Sequence, residues 1–413
     1  MSHTRRDFLR GALGASSLFS FGPVAPEFLV RAAMASAPEQ HDRDTVLVVV
    51  QLSGGNDGLN TVVPYEDDEY ARNRPTLRLP TKELHPIDSS LAFHPRMEAF
   101  MKLYREGHLG VVQGVGYDNS DRSHDRAMRI WHTADPEESG TQTGWLGRAI
   151  DGVWRPQRTG TPAMFVGPIT QPFALNAESG IVPSVRSLQD LVMQRMPGAP
   201  ERRLEVSSGR GRDHPLLSFV RQSIARADED SARLRKMAEN VTGRGAYPSF
   251  GLAQSLHTTA QLIRADVGVR IFFVELGGGG IGGFDNHANQ LGNHCALLHQ
   301  LAESVAAFIY DLKRDNLLDR VLLMTFSEFG RTVRENGRRG TGHGAAGPVF
   351  FAGGKVKGGL LGPHPSLTDL DDDALKHHTD FRQVYATVLD RWLGYDSRIA
   401  LGRTFRTLDI LQS

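Results

Sequence analysis

Apolar residues in this chain fall into two patterns. The first is the short unbroken run: Thr45 to Leu52 (TVLVVVQL), Leu109 to Val115, Ala163 to Val166, Val269 to Leu276, Val321 to Phe326 and Val349 to Ala352. Runs this short, rich in β-branched residues and without polar alternation, predict strands buried on both faces. The second is helical spacing. Arg96 to Arg105 carries Met97, Phe100, Met101 and Tyr104 on one side, and Cys295 to Leu312 carries Leu297, Leu298, Leu301, Val305, Phe308, Ile309 and Leu312. Phe381 to Leu393 repeats the pattern. Buried strands alternating with amphipathic helices predict an α/β fold: a doubly wound, mainly parallel sheet with helices on both faces. One stretch departs from the alternation. Pro197 to Asp213 is polar and Gly/Pro-rich, and a long polar helix is expected at about Leu216 to Asn240. Residues 151–251 are therefore read as an insertion or cap on a single domain spanning 38–413.

Composition narrows the function. Lys+Arg and Asp+Glu both number 47, so the chain has no excess of positive charge with which to coat nucleic acid. No apolar run reaches the roughly 18–20 residues of a membrane span. The single cysteine, Cys295, excludes an internal disulfide framework and a multi-cysteine zinc site. Residues 1–37 read as an address. Thr4-Arg5-Arg6-Asp7-Phe8-Leu9 precedes a weakly apolar stretch and then Ala33-Met34-Ala35-Ser36-Ala37. Paired arginines, an apolar core and a small-residue cleavage site make a twin-arginine signal. The expectation is export in folded form through the twin-arginine (Tat) translocase, to the periplasm or cell surface.

Candidate chemistry is sought where such folds bind ligands, beyond the carboxyl ends of the strands. Ser53-Gly54-Gly55-Asn56-Asp57-Gly58 follows the first run. Tyr117 to His124 follows the second and leads into a helix, with Arg122 and Ser123 at its start. A glycine run and then Phe284-Asp285-Asn286-His287 follow the fourth, and Ser327-Glu328-Phe329-Gly330-Arg331 follows the fifth. Gly342-His343-Gly344 precedes the last. Carboxylates and imidazoles recurring at several strand ends are what a metal-assisted hydrolase needs. Oxygen and imidazole donors suit zinc, manganese, magnesium or calcium. Each residue alone also has a structural reading. Asp57 can satisfy amides in its turn, Ser123 can cap its helix and Glu328 can pair with Arg331 or Arg334. Asp285, His287 and His343 can be loop polars, and His124 and His294 read as structural.

The signal and the blocks LSGGNDGLNTVVP, DRSHDRA, FDNHANQ, SEFGRTVREN, GTGHGAAGPVFFAGG and TDFRQVYATVLDRWLG occur in this order. Together they resemble a bacterial family, domain of unknown function number fifteen hundred and one. That family looks like a branch of the alkaline phosphatase and sulfatase superfamily. The resemblance implies an alkaline-phosphatase-like sheet, one or two divalent metals, and a nucleophile at a helix start. It assigns Asp57, Asp285, His287, Glu328 and His343 as metal ligands. Ser123 is the nucleophile, with Ser120 and Thr61 as rivals, and Arg122 or Arg331 binds a non-bridging oxygen. The implied substrate is a small-molecule or glycan phosphate or sulfate ester.

Three departures matter. Asp285 and His287 are two apart rather than the superfamily's four. Phe329 stands where an imidazole is expected after Glu328, and Gly342 where family relatives often carry Asp. Losing an imidazole leaves one of two metal sites incomplete. The C/S-x-P-x-R motif of classical sulfatases is also missing from the sequence. The second hypothesis is accordingly a non-catalytic member of the fold, serving as a binding or cell-envelope assembly protein. A dinucleotide-binding domain is a third, disfavoured because SGGNDG lacks the G-x-G-x-x-G spacing.

Overall fold

A computed structural model describes residues 45–153, 162–168, 171–180, 182–187, 246–266, 268–277 and 283–412, with the backbone of 19–20 and 194–195. The expected signal (1–37, apart from 19–20), the polar loop 197–213 and the helix expected near 216–240 lie outside the described residues.

The predicted apolar runs become the strands of one sheet. In chain order the strands are β1 (Val46–Leu52), β2 (Leu109–Gly116), β3 (Ala163–Val166), β4 (Ser184–Val185), which no run predicted, β5 (Ile271–Leu276) and β6 (Val321–Phe326). After β6 come β7 (Arg331–Glu335), β8 (Thr341–His343), β9 (Gly347–Gly353), β10 (Gly359–Leu361) and β11 (Thr379–Asp380). The main sheet runs β10-β2-β9-β6-β1-β5-β3-β4, with β11 also paired to β2. All of its neighbouring strands are parallel except β9, which runs antiparallel to both β6 and β2. Segment 151–251 contributes β3 and β4 to this sheet, within its described residues.

The helices are α1 (Asp68–Asn73), α2 (Glu98–Arg105), α3 (His124–Thr133), α4 (Trp145–Val153), α5 (Gly251–Arg264), α6 (Gln290–Arg314) and α7 (Phe381–Ala386). A π-helical turn, Thr387–Leu393, continues α7. The continuous run of β1 is explained by burial on both sides. Val46, Val48 and Val50 pack with α2, α5 and α6, whereas Leu47 and Val49 pack with α3, α4 and α7. A fully buried Val or Leu contributes about 1.5–3 kcal/mol, so any charged side chain in β1 would oppose both layers. Trp392, in the π turn, donates from Nε1 to Val46 O at 3.0 Å and ties that layer to the first strand.

β7 and β8 form an antiparallel hairpin outside the main sheet, with Arg331 opposite His343. The hairpin stands on the edge of the sheet where β1, β5 and β6 end. Two tight loops hold it there: Gly330 N donates to Ala345 O and Gly344 N to Gly330 O, both at 2.8 Å. The glycine pair after β1 is required by the same crowding. Gly54 has φ +110°, and a Cβ there would lie 2.6 Å from both Phe284 N and Asp285 N. Gly55 has φ +76°, and a Cβ there would fall onto the Phe329 ring. Gly54→Ala is therefore expected to destabilise the fold by about 2–4 kcal/mol, read as the drop in urea midpoint. An unchanged midpoint would contradict the close approach of the two loops.

Candidate metal centre

Three segments at the carboxyl edge of the sheet bring imidazoles to one carboxylate. Asp285, in the loop after β5, is the common point. Its Oδ1 lies 3.3 Å from His124 Nε2, 3.0 Å from His287 Nε2 and 3.3 Å from His343 Nε2. His287 Nε2 and His343 Nε2 are 2.9 Å apart. The ligand atoms of His124, Asp285 and His343 all lie within 4.8 Å of one another.

The orientation of the rings is fixed from behind. His343 Nδ1 lies 2.6 Å from the carbonyl of Arg122 and donates to it, which leaves Nε2 to face the carboxylate. His124, the first residue of α3, has Nδ1 at 2.9 Å from Glu328 Oε1. Its Nε2 is shielded from solvent and makes no hydrogen bond, although it points at Asp285. The Phe329 ring lies against both imidazoles, with centroids 4.9 Å from His124 and 4.7 Å from His343.

The charges follow from these neighbours. Partial burial would raise the Asp285 carboxyl, but the Arg331 guanidinium at 2.8 Å overrides it and holds the group at about 2. Hydrogen bonding to Glu328 pushes His124 upward, and burial pushes His343 downward. At neutral pH Asp285 is thus an anion facing imidazole nitrogens.

A divalent ion fits the triad of His124, Asp285 and His343. Zinc bonds imidazole nitrogen and carboxylate oxygen at about 2.0–2.2 Å in tetrahedral sites, which makes ligand-to-ligand edges of roughly 3.3 Å. The separations around Asp285 Oδ1 match that edge. The orphaned Nε2 of His124 is the strongest sign of a missing partner, since buried nitrogens are rarely left unbonded.

The residues singled out in the sequence are divided by the structure. Asp285, His287 and His343 meet at the cluster. Glu328 lies behind it, 2% exposed, with Oε1 accepting from Gly54 N and His124 Nδ1 and Oε2 3.1 Å from Ser327 Oγ. Asp57 stands apart, in a buried ion pair. Its Oδ2 is 2.6 Å from Arg74 Nη1 and its Oδ1 3.0 Å from Arg74 Nη2, and Gln290 Nε2 donates to Oδ2 at 2.5 Å. Burial alone would raise this carboxyl, yet Arg74 brings it to about 2.

Arg331 is buried and donates to the carbonyls of Gly54, Gly55, Phe284 and Thr341 as well as to Asp285. Arg122 reaches away to the Asp371 and Asp372 carbonyls and the Asp372 carboxylate. Ser123 is the exposed N-cap of α3; its amide donates to Asp121 Oδ1 at 2.7 Å, and its hydroxyl makes no capping bond. Of the two rivals, Thr61 is buried with its hydroxyl on Asp57 O and Asn56 Oδ1, while Ser120 sits in the loop before α3.

Sequence reasoning missed His124 as a cluster member. The available signal was its position: the first turn of a helix that starts just beyond a strand's carboxyl end.

Fold and cluster together define an α/β protein with an imidazole–carboxylate centre at the ligand edge of a doubly wound sheet. The chain belongs to the family described as protein of unknown function (DUF1501), whose sequence pattern matches residues 44–407. No curated protein matches it. Among solved structures it is similar to the C-terminal periplasmic domain of EcEptC from Escherichia coli in complex with zinc, at 11% identity and TM-score 0.36, covering 80% of this chain and 76% of that one. It is also similar to the PsFucS1 sulfatase from Pseudoalteromonas sp., at 11% identity and TM-score 0.39, over 92% and 74% of the two chains. A third likeness is to the soluble domain of lipooligosaccharide phosphoethanolamine transferase A from Neisseria meningitidis, at 12% identity and TM-score 0.36, over 77% and 79%. No described helix is long and apolar enough to cross a membrane.

Proposed function

We propose that this chain is an exported, metal-dependent hydrolase of phosphate or sulfate esters, acting at the edge of the sheet where Asp285 meets His124, His287 and His343. The observation that carries the reading is the convergence of three imidazole Nε2 atoms on Asp285 Oδ1, two of them turned inward by bonds at Nδ1. The motif resemblance set out above supports the ester class.

When bound, a divalent ion there supplies Lewis-acid polarisation of the ester and of an attacking hydroxyl. His124, Asp285 and His343 would hold it, with His287 next to Asp285 and His343. Ser123, uncapped at the N-terminus of α3, is the nucleophile. Its Oγ attacks phosphorus or sulfur, the alcohol departs, and water then releases the group. The positive end of the helix favours an anionic substrate at that point. Arg331 and Arg122 act by position: one holds Asp285, and the other lends its carbonyl to His343. Asp57 serves the frame of the site. The proposed location is the periplasm or cell surface, after passage through the twin-arginine translocase.

A second reading, a non-catalytic binding protein of the cell envelope, is favoured by Phe329 and by the full engagement of both arginines. Elemental analysis separates the two. The mature protein, purified without chelator, is expected to hold about one equivalent of a divalent metal, and His343→Ala is expected to lose it. Phosphomonoesters, phosphodiesters and sulfate esters are then screened. Ser123→Ala should retain the metal and abolish turnover, a loss of about 10⁶-fold. Full turnover in that variant overturns the nucleophile. Absence of metal after incubation with zinc, manganese and calcium favours the binding protein.

A further inference from the structure

Glu328 is a carboxylate at a strand end, yet it faces protein rather than the cluster. Two donors hold Oε1, Gly54 N at 2.8 Å and His124 Nδ1 at 2.9 Å, and Ser327 Oγ, which donates to Leu52 O at 2.7 Å, lies 3.1 Å from Oε2. The residue is 2% exposed, so water does not compete for these oxygens. Next in sequence is Phe329, whose ring cannot ligate. The His124 imidazole lies over that ring, and its unbonded Nε2 faces Asp285.

We propose that Glu328 is a positioning residue that acts through His124, turning its Nε2 toward Asp285. The proposal rests on the metal reading above and deepens it. A carboxylate that accepts from Nδ1–H fixes the ring's rotation and its tautomer. The lone pair is then on Nε2, and the ligand is more basic. Gly54 N in turn fixes the carboxylate, and Glu328 itself sits just past β6, so the ring is referenced to β1 and β6. Phe329 supplies the flat wall on which the His124 and His343 rings rest, with His343 nearly parallel to it at 28°.

The test uses the full mature chain with zinc as the probe. Zinc affinity is measured by competition with a chromophoric chelator for the unaltered protein and for Glu328→Gln, which keeps the size but removes the charge. The expected result is a 10- to 100-fold weaker affinity, with metal-free unfolding recorded alongside to account for stability. Imidazole ¹⁵N spectra of the metal-free, unaltered protein provide a readout that needs no variant: His124 is expected as the Nδ1–H tautomer. Equal affinities within twofold, or His124 protonated at Nε2 instead, overturn the proposal while leaving the metal reading intact. An unaltered chain that takes no zinc overturns the metal reading itself, and this proposal with it.

Discussion

Replacing Arg74 by methionine is expected to cost about 3–5 kcal/mol of folding stability, far more than its distance from the cluster suggests. The guanidinium is buried. It pairs through two nitrogens with Asp57 and also donates to Val333 O at 2.6 Å and Thr332 O at 2.9 Å. Removing it leaves a carboxylate out of water with only Gln290 for company, and two β7 carbonyls without donors. The pair is wired further. Gln290 Nε2 donates to Asp57 while its Oε1 accepts from Thr341 Oγ1 at 2.7 Å, two residues before His343. Urea unfolding of Arg74→Met and of Arg74→Met/Asp57→Leu separates charge from packing. The double variant is expected to recover part of the loss, because the uncompensated anion is gone. Equal losses in the two would show that the backbone bonds, not the ion pair, carry the stability.

The second large effect is acid sensitivity. Burial lowers His94 and His132 to about 3 and His294 to about 4, against an ordinary value of 6.5. All three are neutral in the folded chain. His132 Nε2 is 2.6 Å from Gln51 Oε1 and His294 Nε2 is 3.1 Å from Asn56 Oδ1. A histidine depressed in the fold takes up its proton in the unfolded chain first. Its contribution is therefore complete above about pH 6.5 and is lost as the pH falls toward 4 and 3. Each should cost roughly 2 kcal/mol between pH 7.5 and 5, and together about 6 kcal/mol. His124, raised by Glu328, works in the opposite sense and offsets a fraction. Asp57 adds a further loss only below about pH 4. Urea midpoints in chelator at pH 7.5 and pH 5 test the sum, and a flat profile would mean that these rings are protonated in the folded state.

Much of the frame was legible in the sequence, for a simple reason. β1, β3 and β6 are apolar on both faces, so burial wrote them as continuous runs, and Ala163–Val166 and Val321–Phe326 match their predicted bounds. The amphipathic stripe of α6 was equally plain. What the pattern could not state was direction. Val349 to Ala352 reads like any other buried strand, yet β9 runs against its neighbours. Strands of two or three residues such as β4, β10 and β11 carry too few positions to show a period. α5 went unpredicted because it opens where the insertion was expected to end. The site was legible in part. Asp285 and His287 follow a predicted strand and His343 precedes one, whereas Asp57 also follows a strand and is bound to Arg74. No spacing rule couples residue 57 to residue 74 or His124 to Glu328, because those partners meet only after the sheet is ordered.

The antiparallel course of β9 has a consequence for how the centre can be assembled. A parallel strand would need a crossover to bring the chain back to the ligand edge. Because β9 descends from that edge, only Gly344, Ala345 and Ala346 separate His343 from it. The histidine is therefore mounted on a rigid strut, and its height above the sheet is set by the β9 ladder to β6 and β2. Insertions in this three-residue joint would displace the imidazole by whole ångströms. Nor can the cluster exist in a growing chain until β9 has docked.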